Sequence, residues 1–179
     1  MTTTRHLILI GYRATGKTTL ARILAEKLKM SAVDSDPILE QKVGMNIAEI
    51  FKQQGEEYFR DLESEVIAEI LQREQPIILA TGGGVPIREE NRKLLKRSGL
   101  VVWLQASAET ILARIMIDPT TGARRPQLTD LPPREEILHL LKSRAPFYRE
   151  TAHFEVDTER LSLDEVAEHV CREFRRSPL

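Results

Sequence analysis

Leu7-Ile8-Leu9-Ile10-Gly11-Tyr12-Arg13-Ala14-Thr15-Gly16-Lys17-Thr18 is the stretch from which the fold of this 179-residue chain can be read. The apolar run Leu7 to Ile10 stops at a glycine, as a strand buried on both faces of a parallel sheet does. Four residues separate Gly11 from Gly16-Lys17-Thr18, the P-loop spacing. Such a loop turns backbone N–H groups inward around phosphate oxygens, and the following helix adds the partial positive charge of its N-terminus. Thr15, Gly16, Lys17, Thr18 and Thr19 lie where that cradle meets the helix. Lys17 suits the β- and γ-phosphates, and the Thr18 hydroxyl suits Mg²⁺. Strand, loop and amphipathic helix in this order predict a nucleoside triphosphate site.

Outward from the loop, strand and helix patterns alternate to the end of the chain. Leu20, Ile23, Leu24 and Leu28 recur at helical spacing. Ala32 and Val33 end a second strand, closed by Asp34-Ser35-Asp36-Pro37, and the pattern from there to Glu74 is helical with a break near Gly55. Ile77 to Ala80 is a third strand, leading into Gly82-Gly83-Gly84 and a charged helix over Arg88 to Arg97. Leu100 to Leu104 is a fourth strand, and Ala108 to Met116 a helix. Asp118 to Arg134 carries four prolines, a glycine and three arginines, the composition of a long functional loop. A helix from Glu135 to about Tyr148, a strand over Phe154 to Val156 and a last helix through Leu163, Val166, Val170 and Phe174 follow. The predicted class is α/β, three layers with a five-stranded parallel sheet flanked by helices, in one domain spanning 1–179.

Bulk properties exclude several classes. Lys and Arg number 26 against 27 Asp and Glu, a net charge of −1, so nothing draws the chain as a whole to nucleic acid or an anionic membrane. Any anionic ligand must be held by a local cluster of cations. The lone Cys171 excludes an intramolecular disulfide and reads as a small core residue. His6, His139, His153 and His169 lack metal-ligand spacing, and Trp103 reads as core. The apolar run ending at Ile10 is too short for a signal peptide, and no stretch has the length of a membrane span, which predicts a cytoplasmic protein. The near-neutral charge is compatible with a monomer.

The guanine-reading Asn-Lys-x-Asp and the Asp-x-x-Gly of GTPase switches are absent from the sequence, and a motor or transporter ATPase needs more chain. A small-molecule kinase fits the size, because phosphoryl transfer asks mainly for positioning and charge neutralisation. Four more clusters follow the P-loop in order: Asp34-x-Asp36, Phe59-Arg60, Gly82-Gly83-Gly84 and Arg144-Ala145-Pro146-Phe147-Tyr148. With Arg125-Pro126 in the long loop and Val156-Asp157-Thr158, they make nearly the whole chain similar to the shikimate kinase family.

That resemblance implies phosphorylation of the 3-hydroxyl of shikimate by ATP with Mg²⁺, in aromatic amino-acid biosynthesis, within a P-loop kinase fold bearing a mobile lid at about 118–134. It implies a substrate-binding region at about 34–62. Arg60 and Arg144 would grip the carboxylate, Gly82, Gly83 and Gly84 would face the substrate, and Asp36 would orient the 3-hydroxyl. Asp34 would stand beside Thr18 at the metal. Arg125 would be the lid arginine, chosen over Arg124 because it precedes Pro126. Arg114 would pack against adenine, with Arg160 to Leu163 as the far wall.

Each of these residues also has an ordinary reading. Asp36 before Pro37 fits a helix N-cap; Arg60 fits surface pairing with Glu56, Glu57 and Glu63; Arg144 fits a helix end. Two departures from the family stand out: Ala14 where a glycine is usual, and Gln127-Leu128 where two leucines are common. Another acceptor, such as gluconate or a nucleoside monophosphate, is the alternative enzyme reading. A nucleotide-holding regulatory protein without turnover is the alternative of a different class.

Overall fold

The computed structural model describes residues 5–117 and 128–176. The chain runs β1 (His6–Ile10), α1 (Lys17–Leu28), β2 (Ser31–Asp34), α2 (Ser35–Val43), α3 (Ile47–Leu71) and β3 (Ile77–Ala80). A 3₁₀ turn (Val85–Ile87), α4 (Glu89–Ser98), β4 (Gly99–Gln105), α5 (Ala108–Ile117), α6 (Pro133–Thr151), β5 (Phe154–Asp157) and α7 (Leu163–Arg176) complete it. The five strands form one sheet in the order β2-β3-β1-β4-β5, with every pair parallel.

Alternation along the strands sends side chains to two cores. Ile8, Ile10, Leu79, Val101 and Trp103 face one side, where Leu39, Ile50, Phe59, Val66 and Tyr148 pack. Leu7, Leu9, Ile78, Val102 and Leu104 face the other, where Leu20 and Leu24 of α1 meet Val166, Val170 and Cys171 of α7. Cys171 is buried, as read, and burial pushes its thiol pKa up. His6 is structural as well: one ring nitrogen lies 3.3 Å from the Leu71 carbonyl, and the other accepts from the Ile77 N–H at 3.3 Å.

Sequence and structure differ in two places, each with a local cause, and agree on a break between them. The helical stretch after β2 is broken at Gly44, which caps α2 in the left-handed region (φ 71°), before Asn46 and Glu49 form a capping box that starts α3. Gly55 (φ 84°, ψ 175°) then kinks α3 where a break was expected. The helix expected to end near Tyr148 continues through Pro146 to Thr151. Arg144 therefore lies well inside α6, and the helix-end reading of it is withdrawn.

β1 sits centrally, and the chain leaves it toward β2 but leaves β3 toward β4, so the connections diverge above the neighbouring ends of β1 and β3. Ligands of open α/β sheets bind in such a crevice. Gly11 (φ 141°) makes the turn there possible. A Cβ on it would lie 2.5 Å from the Leu104 carbonyl oxygen at the end of β4. Gly11→Ala is therefore expected to cost about 1–3 kcal/mol through overpacking against fixed backbone. In a thermal melt it should lower Tm by at least about 3 °C; an unchanged Tm would refute the close approach.

Candidate functional site

The P-loop forms between β1 and α1. Its internal bonds are made by side chains the sequence singled out: Thr15 Oγ1 donates to the Tyr12 carbonyl at 2.8 Å. The Lys17 Nζ donates to the carbonyls of Gly11 and Tyr12 at 2.8 and 2.7 Å. Gly16 is the left-handed N-cap of α1, so the first N–H groups of that helix point into the loop. Ala14 has φ 61°, the left-handed conformation that glycine adopts without cost. Its carbonyl accepts from Arg114 of α5 at 3.2 Å, and Arg114 also bonds the Thr158 hydroxyl and carbonyl. Arg114 thus spans from the P-loop to the Val156-Asp157-Thr158 segment. Arg160 is exposed and paired with Asp157, at the rim of the same region. Thr19 is exposed on the first turn of α1.

Beside the loop, the Thr18 hydroxyl donates to Asp34 Oδ2 at 2.6 Å. The other oxygen of Asp34 accepts from the Asp36 N–H at 3.1 Å and so caps α2. The cap reading given to Asp36 belongs to Asp34. Asp36 lies in the first turn of α2, half-buried beside the carboxyl edge of the sheet.

An open pocket of about 400 Å³ adjoins the loop, lined by Tyr12, Arg13, Phe59, Arg60, Leu128 and Arg144 among others. Arg60 is buried and not a surface residue. Its guanidinium donates to Glu63 at 2.7 Å and to Glu56 at 3.1 Å, while Glu57 pairs instead with Arg88. Glu63 is itself buried behind Arg60. Burial raises its pKa, and the charge of Arg60 opposes the rise. Sequence reasoning took Glu63 only as a surface partner, because helical spacing cannot show which way the kinked α3 faces.

Arg144 is buried too, with its guanidinium carbon 5.8 Å from the Tyr12 ring centroid and an N–H donated to the Gly83 carbonyl at 3.4 Å. Tyr148 donates to the same carbonyl at 2.5 Å. Gly82 gives its N–H to Ser35 Oγ at 3.0 Å, so this glycine braces α2. Gly84 lies against Arg60, where a Cβ would fall 2.0 Å from Nη1. Arg124, Arg125 and Pro126 lie outside the described residues, as do all lid positions before Leu128.

One residue was missed altogether. Glu136, in the first turn of α6, is 1 % exposed and accepts from Arg13 of the P-loop and from Leu128 and Thr129. In sequence it reads as a first-turn acid no different from Glu135.

The arrangement places phosphate-binding backbone and a hydroxyl–carboxylate pair next to a pocket with two buried arginines and an apolar wall. Comparisons with known proteins bear on the family and the fold. A family model described as shikimate kinase matches residues 13–175. A shikimate kinase of Rhodopirellula baltica is 42 % identical over 168 residues, covering 94 % of this chain and 89 % of that protein. One of Thermodesulfovibrio yellowstonii is 43 % identical over 172 residues, 96 % of each. Among solved structures, shikimate kinase from Acinetobacter baumannii in complex with shikimate superposes with a TM-score of 0.87 at 37 % identity, over 96 % of this chain and 93 % of that one. A gluconokinase from Sinorhizobium meliloti, at 15 % identity and a TM-score of 0.58 over 97 % of this chain and 93 % of that one, shares the fold alone.

Gly84→Ala tests the packing of this pocket. The added methyl meets the end of a side chain that Glu63 and Glu56 hold in place, so Arg60 must turn away. The expected result is a rise of about tenfold or more in the acceptor KM with the ATP KM within about twofold. Equal shifts in both constants would place Arg60 elsewhere.

Proposed function

The chain belongs to the shikimate kinase family, and on that premise we propose how its own residues divide the work of the reaction. The enzyme transfers the γ-phosphoryl group of ATP to the 3-hydroxyl of shikimate. The hydroxyl oxygen forms the new P–O bond, the bond from phosphorus to the β–γ bridging oxygen breaks, and ADP and the hydroxyl proton leave. The observation that carries the division of roles is the pocket beside the P-loop, where two buried arginines, Arg60 and Arg144, share one wall region with Gly84.

Arg60 and Arg144 bind the shikimate carboxylate. Guanidinium forks suit that group, and burial strengthens each charge-assisted bond. Gly84 leaves room at the pocket wall beside Arg60, Gly83 lets the loop pack on the P-loop next to the acceptor, and Gly82 fixes that loop to Ser35. Asp36, at the edge of the sheet, accepts from the 3-hydroxyl and orients it for in-line attack. A loose phosphoryl-transfer transition state asks more for this alignment than for a strong base.

Lys17 exchanges the loop carbonyls it now holds for β- and γ-phosphate oxygens, where its charge steadies the transferring group. The backbone of Ala14 to Thr19 cradles the phosphates, and Arg114 and Arg160 flank the adenine. Arg125, outside the described residues, is assigned to the phosphates on the resemblance alone. Mg²⁺ fits the Thr18–Asp34 pair. The two oxygens lie 2.6 Å apart, and among the described residues no group of three or more His, Cys, Asp or Glu could hold a metal. A site with few protein oxygens suits Mg²⁺, which keeps several waters and binds through phosphates. When bound, the ion neutralises charge on the β- and γ-phosphates.

No helix among the described residues is long and apolar enough to cross a membrane. We take the protein to act as a monomeric, single-domain enzyme of the cytoplasm on a small-molecule acceptor, without nucleic acid or membrane partners.

A coupled ADP-release assay with shikimate, gluconate and nucleoside monophosphates tests the acceptor, and shikimate should be strongly preferred. Stimulation by another acceptor but not by shikimate would overturn it, and ATP binding without turnover would favour a regulatory protein. Lys17→Ala should lower kcat by about a hundredfold or more. An unchanged kcat would remove Lys17 from transition-state stabilisation.

A further inference from the structure

Two buried carboxylates near the pocket have no part in the reaction scheme above, Glu63 behind Arg60 and Glu136; Glu136 is the one that joins two separate segments. It projects from the first turn of α6 and is 1 % exposed. One oxygen accepts from Arg13 Nη2 at 3.3 Å. The other accepts from the Leu128 N–H at 3.1 Å, and from the Thr129 N–H and hydroxyl at 3.0 Å each. A carboxylate out of water needs this many donors, and the arginine supplies the countercharge.

The two things it holds are both walls of the acceptor pocket. Arg13 comes from the P-loop, Leu128 from the segment that enters α6, and both line the pocket beside Tyr12. Leu128 also packs against the small core of Tyr12, Ala108, Ile111, Ile137 and Leu140 under the loop. Among the described residues, Arg13 pairs with the carboxylate of Glu136 and has Tyr12 as its other side-chain partner. Its Nε is buried with no hydrogen-bond partner among the described residues, and its guanidinium carbon lies 5.7 Å from the Tyr12 ring centroid. Without Glu136, the Arg13 guanidinium loses its ion pair, and the 128–129 segment keeps its apolar contacts but loses the acceptor for its N–H groups.

We propose that Glu136 is a positioning residue for the acceptor: it ties Arg13 of the phosphate loop to Leu128 and so sets the width and the charge of the pocket between them. It acts through those residues without touching the substrate. The proposal rests on the reading of this pocket as the shikimate site.

Glu136→Gln separates the two attachments. Its amide oxygen can still accept from Leu128 and Thr129, but its NH₂ group then faces the Arg13 guanidinium, donor against donor. Steady-state kinetics should show the shikimate KM raised about fivefold or more, with the ATP KM and kcat within about twofold. Arg13→Met should raise the shikimate KM similarly, and the double variant should be no worse than the poorer single one, because both remove the same link. A lowered Tm with an unchanged shikimate KM in Glu136→Gln would overturn the proposal, leaving a structural role. Additive effects in the double variant would overturn it too. Should Glu136→Gln not fold, Arg13→Met decides alone, and an unchanged shikimate KM there is the refuting result. Gly84→Ala serves as the control for the underlying reading. If it raises the shikimate KM and Glu136→Gln does not, only the tether fails. If Gly84→Ala leaves that constant unchanged, the pocket itself is misassigned.

Discussion

Gly83 is where the two halves of the reaction are brought to a fixed distance. A Cβ at this position would sit 3.2 Å from the Gly11 carbonyl oxygen and 3.5 Å from the Arg13 nitrogen and the Tyr12 Cα, so the loop after β3 lies directly on P-loop backbone. Tyr148 and Arg144 hold the Gly83 carbonyl through hydrogen bonds. Three segments far apart in sequence thus share one peptide unit. Backbone packing sets the separation between the P-loop and the loop after β3, and the side chains of Arg144 and Tyr148 are tied to that fixed unit. Phosphoryl transfer gains most of its rate from alignment and tolerates little misplacement.

Charge is arranged with the same economy. The chain as a whole is nearly neutral, at −1, yet three arginines line one pocket. Two of them are backed by buried carboxylates, Arg60 by Glu63 and Arg13 by Glu136. Arg144 has no ion pair with a carboxylate among the described residues; a carbonyl and an aromatic face are what it touches. Arg144 feels the buried Glu63 only at longer range, and an acceptor carboxylate entering the pocket would supply a direct ion-pair partner where water screens little. That asymmetry favours an anionic acceptor over a neutral sugar or base.

The sequence was most legible where the chemistry is contiguous. β1, the P-loop and α1 could be read because one short stretch carries the apolar run, the glycines and the lysine together. Ala14 could be seen as a departure, and its φ of 61° shows why glycine suits the position. Roles that turn on a one-residue boundary were not readable: with α2 starting at Ser35, the cap passes from Asp36 to Asp34. The alternative reading of Arg144 as a helix-end residue rested on a helix ending near Tyr148, but α6 runs on through Pro146 to Thr151. Glu63 and Glu136 were hidden for another reason. Both belong to charged helical stretches, and only tertiary packing decides which acid of each stretch turns inward.

The non-glycine residue at position 14 has a structural consequence for nucleotide binding. A left-handed conformation in a residue with a Cβ costs about 1–3 kcal/mol and persists only where surrounding groups over-determine it. Here they do. Arg114 holds the Ala14 carbonyl, Thr15 holds the Tyr12 carbonyl, and Lys17 spans the carbonyls of Gly11 and Tyr12. Each of these braces is a residue assigned to the nucleotide. The loop is therefore held in shape by the same groups that we propose turn to phosphate and adenine. On the proposed roles, ligand binding replaces those bonds as it takes them, and the loop then bears the cost of a left-handed Ala14 that glycine would not incur.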